Sequence, residues 1–118
     1  MLLNFGHTVG HAVEKASGFS IRHGDAVSIG IVAECEISRQ KGLLSAHDCA
    51  RIRCLLESFG LMTRTGGPGP ESIINNLARD KKSRAGIPSF VLLEGLGSAI
   101  ANCAASPKSV ETAIRTVA

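Results

Sequence analysis

From Ala26 to Ile37 the chain reads Ala-Val-Ser-Ile-Gly-Ile-Val-Ala-Glu-Cys-Glu-Ile, its longest apolar-rich stretch. Ser28, Gly30, Glu34 and Glu36 interrupt it, and it is too short to cross a bilayer. Wound as a helix, Ala26, Val27, Ile29, Ile31, Val32, Ala33, Cys35 and Ile37 cover nearly every face of its first three turns. A helix that is apolar all round is buried, so the other elements must wrap around this one. It is predicted to run from about Gly24 or Asp25 to Gln40, with Asp25 complementing its positive N-terminus and Lys41-Gly42 stopping it. Glu34 and Glu36, in the middle of a buried element, read as partnered or edge-facing carboxylates.

The wrapping elements follow from punctuation and spacing. A first helix is expected from about Leu3 to Ser17, ended by Gly18, with Phe19 to His23 as a short connector. Ser45 caps a third helix from Ala46 to Phe59, with Asp48 in the capping-box position and a core-facing stripe of Cys49, Ile52, Leu55, Leu56 and Phe59. Gly60 to Gly69 is a loop, and Pro70 opens a fourth helix to about Arg79 whose inner face holds Ile73, Ile74 and Leu77. Asp80 to Pro88 reads as a charged turn. Ser89 to Glu94 and Ser98 to Cys103 read as strands of a hairpin around Gly95-Leu96-Gly97. Ser106 and Pro107 start a last helix with Val110, Ala113, Ile114 and Val117 inward. The expected fold is mainly α, with a small β-hairpin near the C-terminal end. A chain of 118 residues has room for one domain whose core hides roughly two-thirds of the surface an extended chain exposes. With aromatics at 3%, that core must be aliphatic.

The chemistry gathers on the first helix. At about 100° per residue, Asn4, His7 and His11 share an arc of about 60°, away from Phe5, Val9, Ala12, Val13 and Ala16. Gly6 and Gly10 lie together on the flank, where a missing Cβ lets another backbone approach. The polar stripe thus consists of an amide and two imidazoles instead of lysine and glutamate. If the chain turns back after Ser17, His23 joins them, and three imidazoles leave one position open on a tetrahedral metal. The competing reading is a solvated polar stripe with a turn histidine beside it. The glutamate of HExxH is missing, which argues against a zinc protease. If His11 is not a ligand, another must come from elsewhere, and Glu34 and Glu36 are the carboxylates at hand. His47 reads as exposed. Arg79 to Arg84 is either a set of cations suited to a helix C-terminus or an anion site.

A net charge of +3 without basic runs or interleaved aromatics gives no nucleic-acid surface. Four cysteines at 35, 49, 54 and 103 form no CxxC pair and read as small buried hydrophobes. The N-terminus lacks the charged region of a signal peptide, so the expectation is a soluble, cytoplasmic protein with no membrane contact.

Leu2-Leu3-Asn4-Phe5-Gly6-His7-Thr8-Val9-Gly10-His11, His23-Gly24-Asp25-Ala26-Val27, Gly42-Leu43-Leu44, Asp80-Lys81-Lys82 and Phe90-Val91-Leu92-Leu93 together resemble the C-terminal domain of the 3-dehydroquinate synthase family, in order and approximate spacing. The resemblance covers essentially the whole chain. It implies the helical C-terminal domain of that fold, whose family converts 3-deoxy-D-arabino-heptulosonate 7-phosphate to 3-dehydroquinate and phosphate in the shikimate route to aromatic amino acids. That reaction uses NAD and a divalent metal, zinc or cobalt, in a cleft shared with an N-terminal Rossmann-like domain. His7 and His23 would then be metal ligands, with a third, a glutamate, from the region before this chain. Asn4 and His11 would contact substrate, His11 also relaying a proton near the phosphate, and Lys81 or Lys82 would bind the anionic substrate. The full enzyme is expected as a homodimer.

The departures from the family pattern matter as much. GxGxxG, the upstream glutamate and the family's N-terminal substrate-binding lysines and arginine are missing. The resemblance therefore implies that residues 1–118 are one metal- and substrate-binding domain, with the NAD-binding domain absent or separately encoded. Alone it would be inactive and hold metal weakly. Asp25 stands where glutamate is common, and Met62 where proline is usual, which is expected to loosen that turn. Alternatives are another sugar-phosphate cyclase, acting on sedoheptulose 7-phosphate or a glucose phosphate, and a non-catalytic helical remnant that binds a partner. A metal-dependent alcohol dehydrogenase of the glycerol dehydrogenase type shares the HxxxH and the later His-Gly, but Asn4 to Thr8 and Asp80-Lys81-Lys82 argue against it.

Overall fold

A computed structural model describes residues 5–83 and 90–118, and for 80–83, 101 and 102 the backbone alone. The order is α1 (His7–Ala16), α2 (His23–Gln40), α3 (Ala46–Ser58), α4 (Pro70–Ser83), β1 (Phe90–Leu93), β2 (Ala99–Cys103) and α5 (Pro107–Val117). The apolar-all-round helix is the centre: α2 packs against α1, α3, α5 and β1. Its Ala26, Ile29, Val32, Ala33 and Ile37 meet Val9 and Val13 of α1, Ile73 and Leu77 of α4, Phe90 and Leu92 of β1, and Ile114 and Val117 of α5 in one buried cluster. Phe90 is the cluster's one aromatic ring, so the core is aliphatic as the composition requires.

α1 and α2 cross unusually closely, and glycine is the reason. A Cβ on Gly30 would stand 2.0 Å from the Gly6 carbonyl oxygen and 2.9 Å from the Gly10 nitrogen. One on Gly10 would meet the Ala26 carbonyl oxygen at 3.1 Å. Gly6 also has φ +80°, a left-handed conformation that glycine adopts without steric cost. That turn starts α1 at His7, later than the Leu3 expected from periodicity.

The hairpin is antiparallel, pairing Phe90 with Cys103, Leu92 with Ile100 and Leu93 with Ala99. The opposite edge of β1 is covered by side chains of α2 in place of a third strand. Val91 N donates to Glu34 Oε2 at 3.1 Å, and Leu93 N donates to Ser38 Oγ at 3.0 Å. Residues two apart in a strand offer their N–H groups to one side, and Glu34 and Ser38, one turn apart on α2, match that repeat. Glu34 is fully buried, and burial pushes its carboxyl up to about 8, against the pull of the backbone N–H donors of Gly6 and Val91. It is a partnered carboxylate, as its mid-helix position suggested.

Several expectations need correction. α3 is capped by the Ser45 hydroxyl, which accepts from Asp48 N at 3.0 Å, but none of its residues is buried. It packs along α2 in a line that half-buries Cys49, Ile52 and Leu56 and leaves Leu55 and Phe59 exposed. The cysteines are not uniformly buried: Cys35 is, Cys49 and Cys103 are half-buried, and Cys54 is exposed because it points off the same outer helix. α4 continues to Ser83, through the start of the expected turn, and residues 84–89 lie outside the described ones. At the turn after α3, Met62 N donates to Asp25 Oδ1 at 3.0 Å, a bond that a proline at position 62 would have no N–H to make.

Candidate metal and substrate site

His7 opens α1, His11 follows one turn later, and His23 opens α2 after the Gly18-Phe19 bend, where both residues have φ +64°. The bend and the close crossing fold the second helix start back onto the first. The imidazole centroids of His7 and His11 are 5.6 Å apart, those of His7 and His23 5.6 Å, and those of His11 and His23 6.3 Å. His7 is half-buried, whereas His11 and His23 are exposed. The three rings that spacing singled out therefore form one cluster at a solvent-facing edge of the α1–α2 seam.

Hydrogen bonding selects which nitrogens face outward. His7 Nδ1 is 3.3 Å from the Phe5 carbonyl oxygen, and His23 Nδ1 is 3.0 Å from Glu14 Oε1. A carbonyl accepts only and a carboxylate accepts only, so Nδ1 is the protonated nitrogen in both rings and donates in both contacts. In the neutral ring each Nε2 then carries the lone pair, with no hydrogen-bond partner among the described residues, the arrangement found where a histidine binds a metal and its other nitrogen is held by an acceptor.

Glu14 is the residue sequence reasoning missed. It stands at i+7 from His7 and i+3 from His11, so it continues the same helical stripe, and that periodicity was the signal available. At 14% exposure it is largely enclosed, unlike the His23 ring at 58%. The α1 stripe thus supplies two imidazoles and the carboxylate that orients the third.

The donor set present is partial. Among the described residues, no three His, Cys, Asp or Glu side chains form a group able to hold a metal ion unaided. The two glutamates on α2 do not complete it. Glu34 spends its oxygens on Gly6 N and Val91 N, and Glu36 pairs with Arg39, which holds its carboxyl below the usual range. Asn4 lies outside the described residues. Lys81 and Lys82 are in the last turn of α4, and their side chains lie outside the described ones. His47 is exposed on α3, apart from the cluster. No described helix is long and apolar enough to cross a membrane.

Comparison with known proteins agrees with this architecture. The family model described as 3-dehydroquinate synthase C-terminal matches residues 1–83. The 3-dehydroquinate synthase of Corynebacterium jeikeium (strain K411) is 43% identical over 96 residues, which is 81% of this chain and 26% of that protein. That of Nitrobacter hamburgensis is 41% identical over 120 residues, 92% of this chain and 31% of the relative. The chain therefore spans between a quarter and a third of the length of these curated relatives. Among solved structures, the 2-epi-5-epi-valiolone synthase of Streptomyces hygroscopicus subsp. jinggangensis 5008, with NAD+ and Zn2+ bound, superposes with TM-score 0.83 at 26% identity, covering 99% of this chain and 32% of its own. A 2-deoxy-scyllo-inosose synthase gives TM-score 0.77 at 25% identity, over 98% of this chain and 32% of its own.

Proposed function

Because this chain belongs to the 3-dehydroquinate synthase C-terminal family, we propose that it forms the metal- and substrate-binding part of a 3-dehydroquinate synthase. Residues 1–118 act as one domain, and the NAD-binding domain is supplied by sequence outside them. The reaction is cyclisation of 3-deoxy-D-arabino-heptulosonate 7-phosphate to 3-dehydroquinate with loss of phosphate, a lyase step of the shikimate route, carried out in the cytoplasm by a homodimer. The observation that carries this reading is the meeting of His7 and His23, with each Nδ1 engaged by an acceptor and each Nε2 without a partner among the described residues.

In this reading His7 and His23 hold a divalent ion, zinc or cobalt, through Nε2, and the remaining protein ligand comes from outside the chain. The ion and NAD, when bound, supply Lewis acidity and a reversible hydride acceptor. This chain's own residues do the positioning. Glu14 keeps the His23 ring turned with Nε2 outward. His11, exposed beside the other two rings, receives or returns a proton at the substrate phosphate oxygen. Asn4 contacts the substrate, and Lys81 or Lys82 meets the anionic end as a point charge. Holding a flexible sugar acid through several steps is chiefly a matter of fixed orientation.

A second reading, a cyclase for another sugar phosphate, is favoured by the superposition on 2-epi-5-epi-valiolone synthase. One experiment separates the two. The chain is combined with the NAD-binding part of a 3-dehydroquinate synthase, and phosphate release is measured with zinc and NAD from the heptulosonate phosphate and from sedoheptulose 7-phosphate. Release from the first alone, abolished by His7→Ala or His23→Ala, is expected. Release from the second alone transfers the assignment to the other cyclase. Tight stoichiometric zinc binding by the 118-residue chain alone, measured by calorimetry, would contradict the need for an outside ligand.

A further inference from the structure

The buried carboxyl of Glu34 does more than close the edge of β1. Its Oε1 accepts from Gly6 N, and its Oε2 accepts from Val91 N at 3.1 Å. Gly6 N belongs to the same peptide unit as the Phe5 carbonyl, the group that receives His7 Nδ1–H. That unit is planar and trans, so its N–H and its C=O point in opposite directions. Fixing the N–H on Glu34 therefore aims the carbonyl at the His7 ring.

The unit needs fixing. A peptide preceding glycine can turn over, because glycine adopts either sign of φ with little steric penalty, and Gly6 already stands at φ +80°. Turned over, the unit would bring its carbonyl oxygen against the acceptor oxygen of a fully buried side chain. With the carboxyl ionised these are two acceptors facing each other without water, a costly arrangement, and with it protonated the turned-over unit still gives up the Gly6 N–H bond to Oε1. We infer that Glu34 is a positioning residue for His7: it latches the Phe5–Gly6 peptide in the orientation that keeps the His7 proton on Nδ1 and leaves Nε2 free. The path runs from a carboxyl on α2, through one peptide, to an imidazole at the start of α1, with each contact polarising the next. Its value for metal binding rests on the reading of His7 as a ligand; the latch itself does not.

The test reads the imidazole tautomers by long-range proton–nitrogen NMR on the labelled, metal-free chain above pH 8, where the Glu34 carboxyl is ionised and acts only as an acceptor. In the wild type, His7 is expected as the Nδ1–H tautomer. A wild-type His7 protonated on Nε2 alone overturns the inference without any variant. Glu34→Met keeps the side-chain volume and removes both acceptors, and is expected to shift a large fraction of His7 to the Nε2–H form. Glu34→Gln, whose amide oxygen can still accept from Gly6 N, is expected to keep His7 close to wild type. Ser38→Ala loosens β1 by removing the acceptor for Leu93 N without touching the peptide, so His7 should not change. His23, held by Glu14, is the internal reference and stays as Nδ1–H throughout. A folded Glu34→Met chain with an unchanged His7 overturns the latch, as does an equal change in Ser38→Ala. Zinc added to the wild-type chain combined with the NAD-binding part of a 3-dehydroquinate synthase tests the functional reading separately. If the His7 Nε2 resonance ignores zinc while its tautomer follows Glu34, the latch stands and the ligand assignment falls.

Discussion

Replacing Gly30 by alanine tests the packing on which the histidine cluster depends. The added Cβ would lie 2.0 Å from the Gly6 carbonyl oxygen and 2.9 Å from the Gly10 nitrogen, both main-chain atoms that no rotamer change can move. Restoring an ordinary carbon–oxygen contact of about 3.3 Å requires α1 and α2 to separate by more than an ångström. Overpacking against side chains costs about 1–3 kcal/mol, and an obstacle made of backbone belongs at the upper end. Alanine returns about 1 kcal/mol through helix propensity. The expected net loss is about 2 kcal/mol, which lowers the melting temperature by roughly 8 °C for a chain of this size. Thermal unfolding followed by circular dichroism measures it, with Gly24→Ala as the control, since a Cβ there meets nothing within 4 Å. If Gly30→Ala melts within about 2 °C of wild type while Gly24→Ala behaves as expected, the helices are not in backbone contact, and the account of the cluster's geometry fails.

Three further outcomes are expected. Glu14→Ala frees the His23 ring and should weaken cobalt binding in the reconstituted enzyme by about 10- to 100-fold, read by titration of the cobalt absorption spectrum; unchanged affinity removes Glu14 from the site. Ser28 is buried and its hydroxyl has no hydrogen-bond partner among the described residues, so Ser28→Ala should stabilise the chain by about 1 kcal/mol in urea unfolding, and a loss of that size would reveal a partner for the hydroxyl. Burial holds the Glu34 proton to about pH 8 in the folded chain, whereas the unfolded chain gives it up near pH 4.5. Unfolding therefore releases a proton between those values, and this residue's contribution to stability declines as pH rises through that window. The urea midpoint of wild type relative to Glu34→Gln should fall from pH 5 to pH 8; a relative midpoint that rises would place the folded-state value below 4.5.

The sequence made the central helix legible because eight apolar residues around three turns leave burial as the only outcome, and it made the histidine stripe legible because imidazoles are rare on a solvated face. The caps at Ser45 and Ser106 were equally readable, each a hydroxyl accepting from the N–H three residues on. The stripe on α3 misled because apolar spacing says which face is sticky but not how wide its neighbour is. Leu55 and Phe59 have the right period, yet α2 covers only the residues beside them. Glu34 was readable as partnered, but its partners are backbone groups 28 and 57 residues away, which no local pattern encodes. Glu14 was hidden for a different reason. A glutamate on a helix near a lysine looks like surface charge until the bend at Phe19 brings His23 over it.

The site and the core are consequences of the same choice of residues. Donors that meet at one point from two helices need helix starts closer than ordinary side chains permit, and Gly6, Gly10 and Gly30 remove the atoms that would hold them apart. Close approach then creates a second problem, since the turn before α1 brings main-chain donors into a dry interior. Glu34 answers it at Gly6, and with Ser38 it answers the matching problem along β1. A leucine at position 34 would fill the space but leave two buried N–H groups unpaired, at about 1–3 kcal/mol each. The carboxyl buried on the central helix is therefore what permits an apolar core to lie directly beneath a polar site. Its removal should damage the orientation of His7 before it damages the fold as a whole.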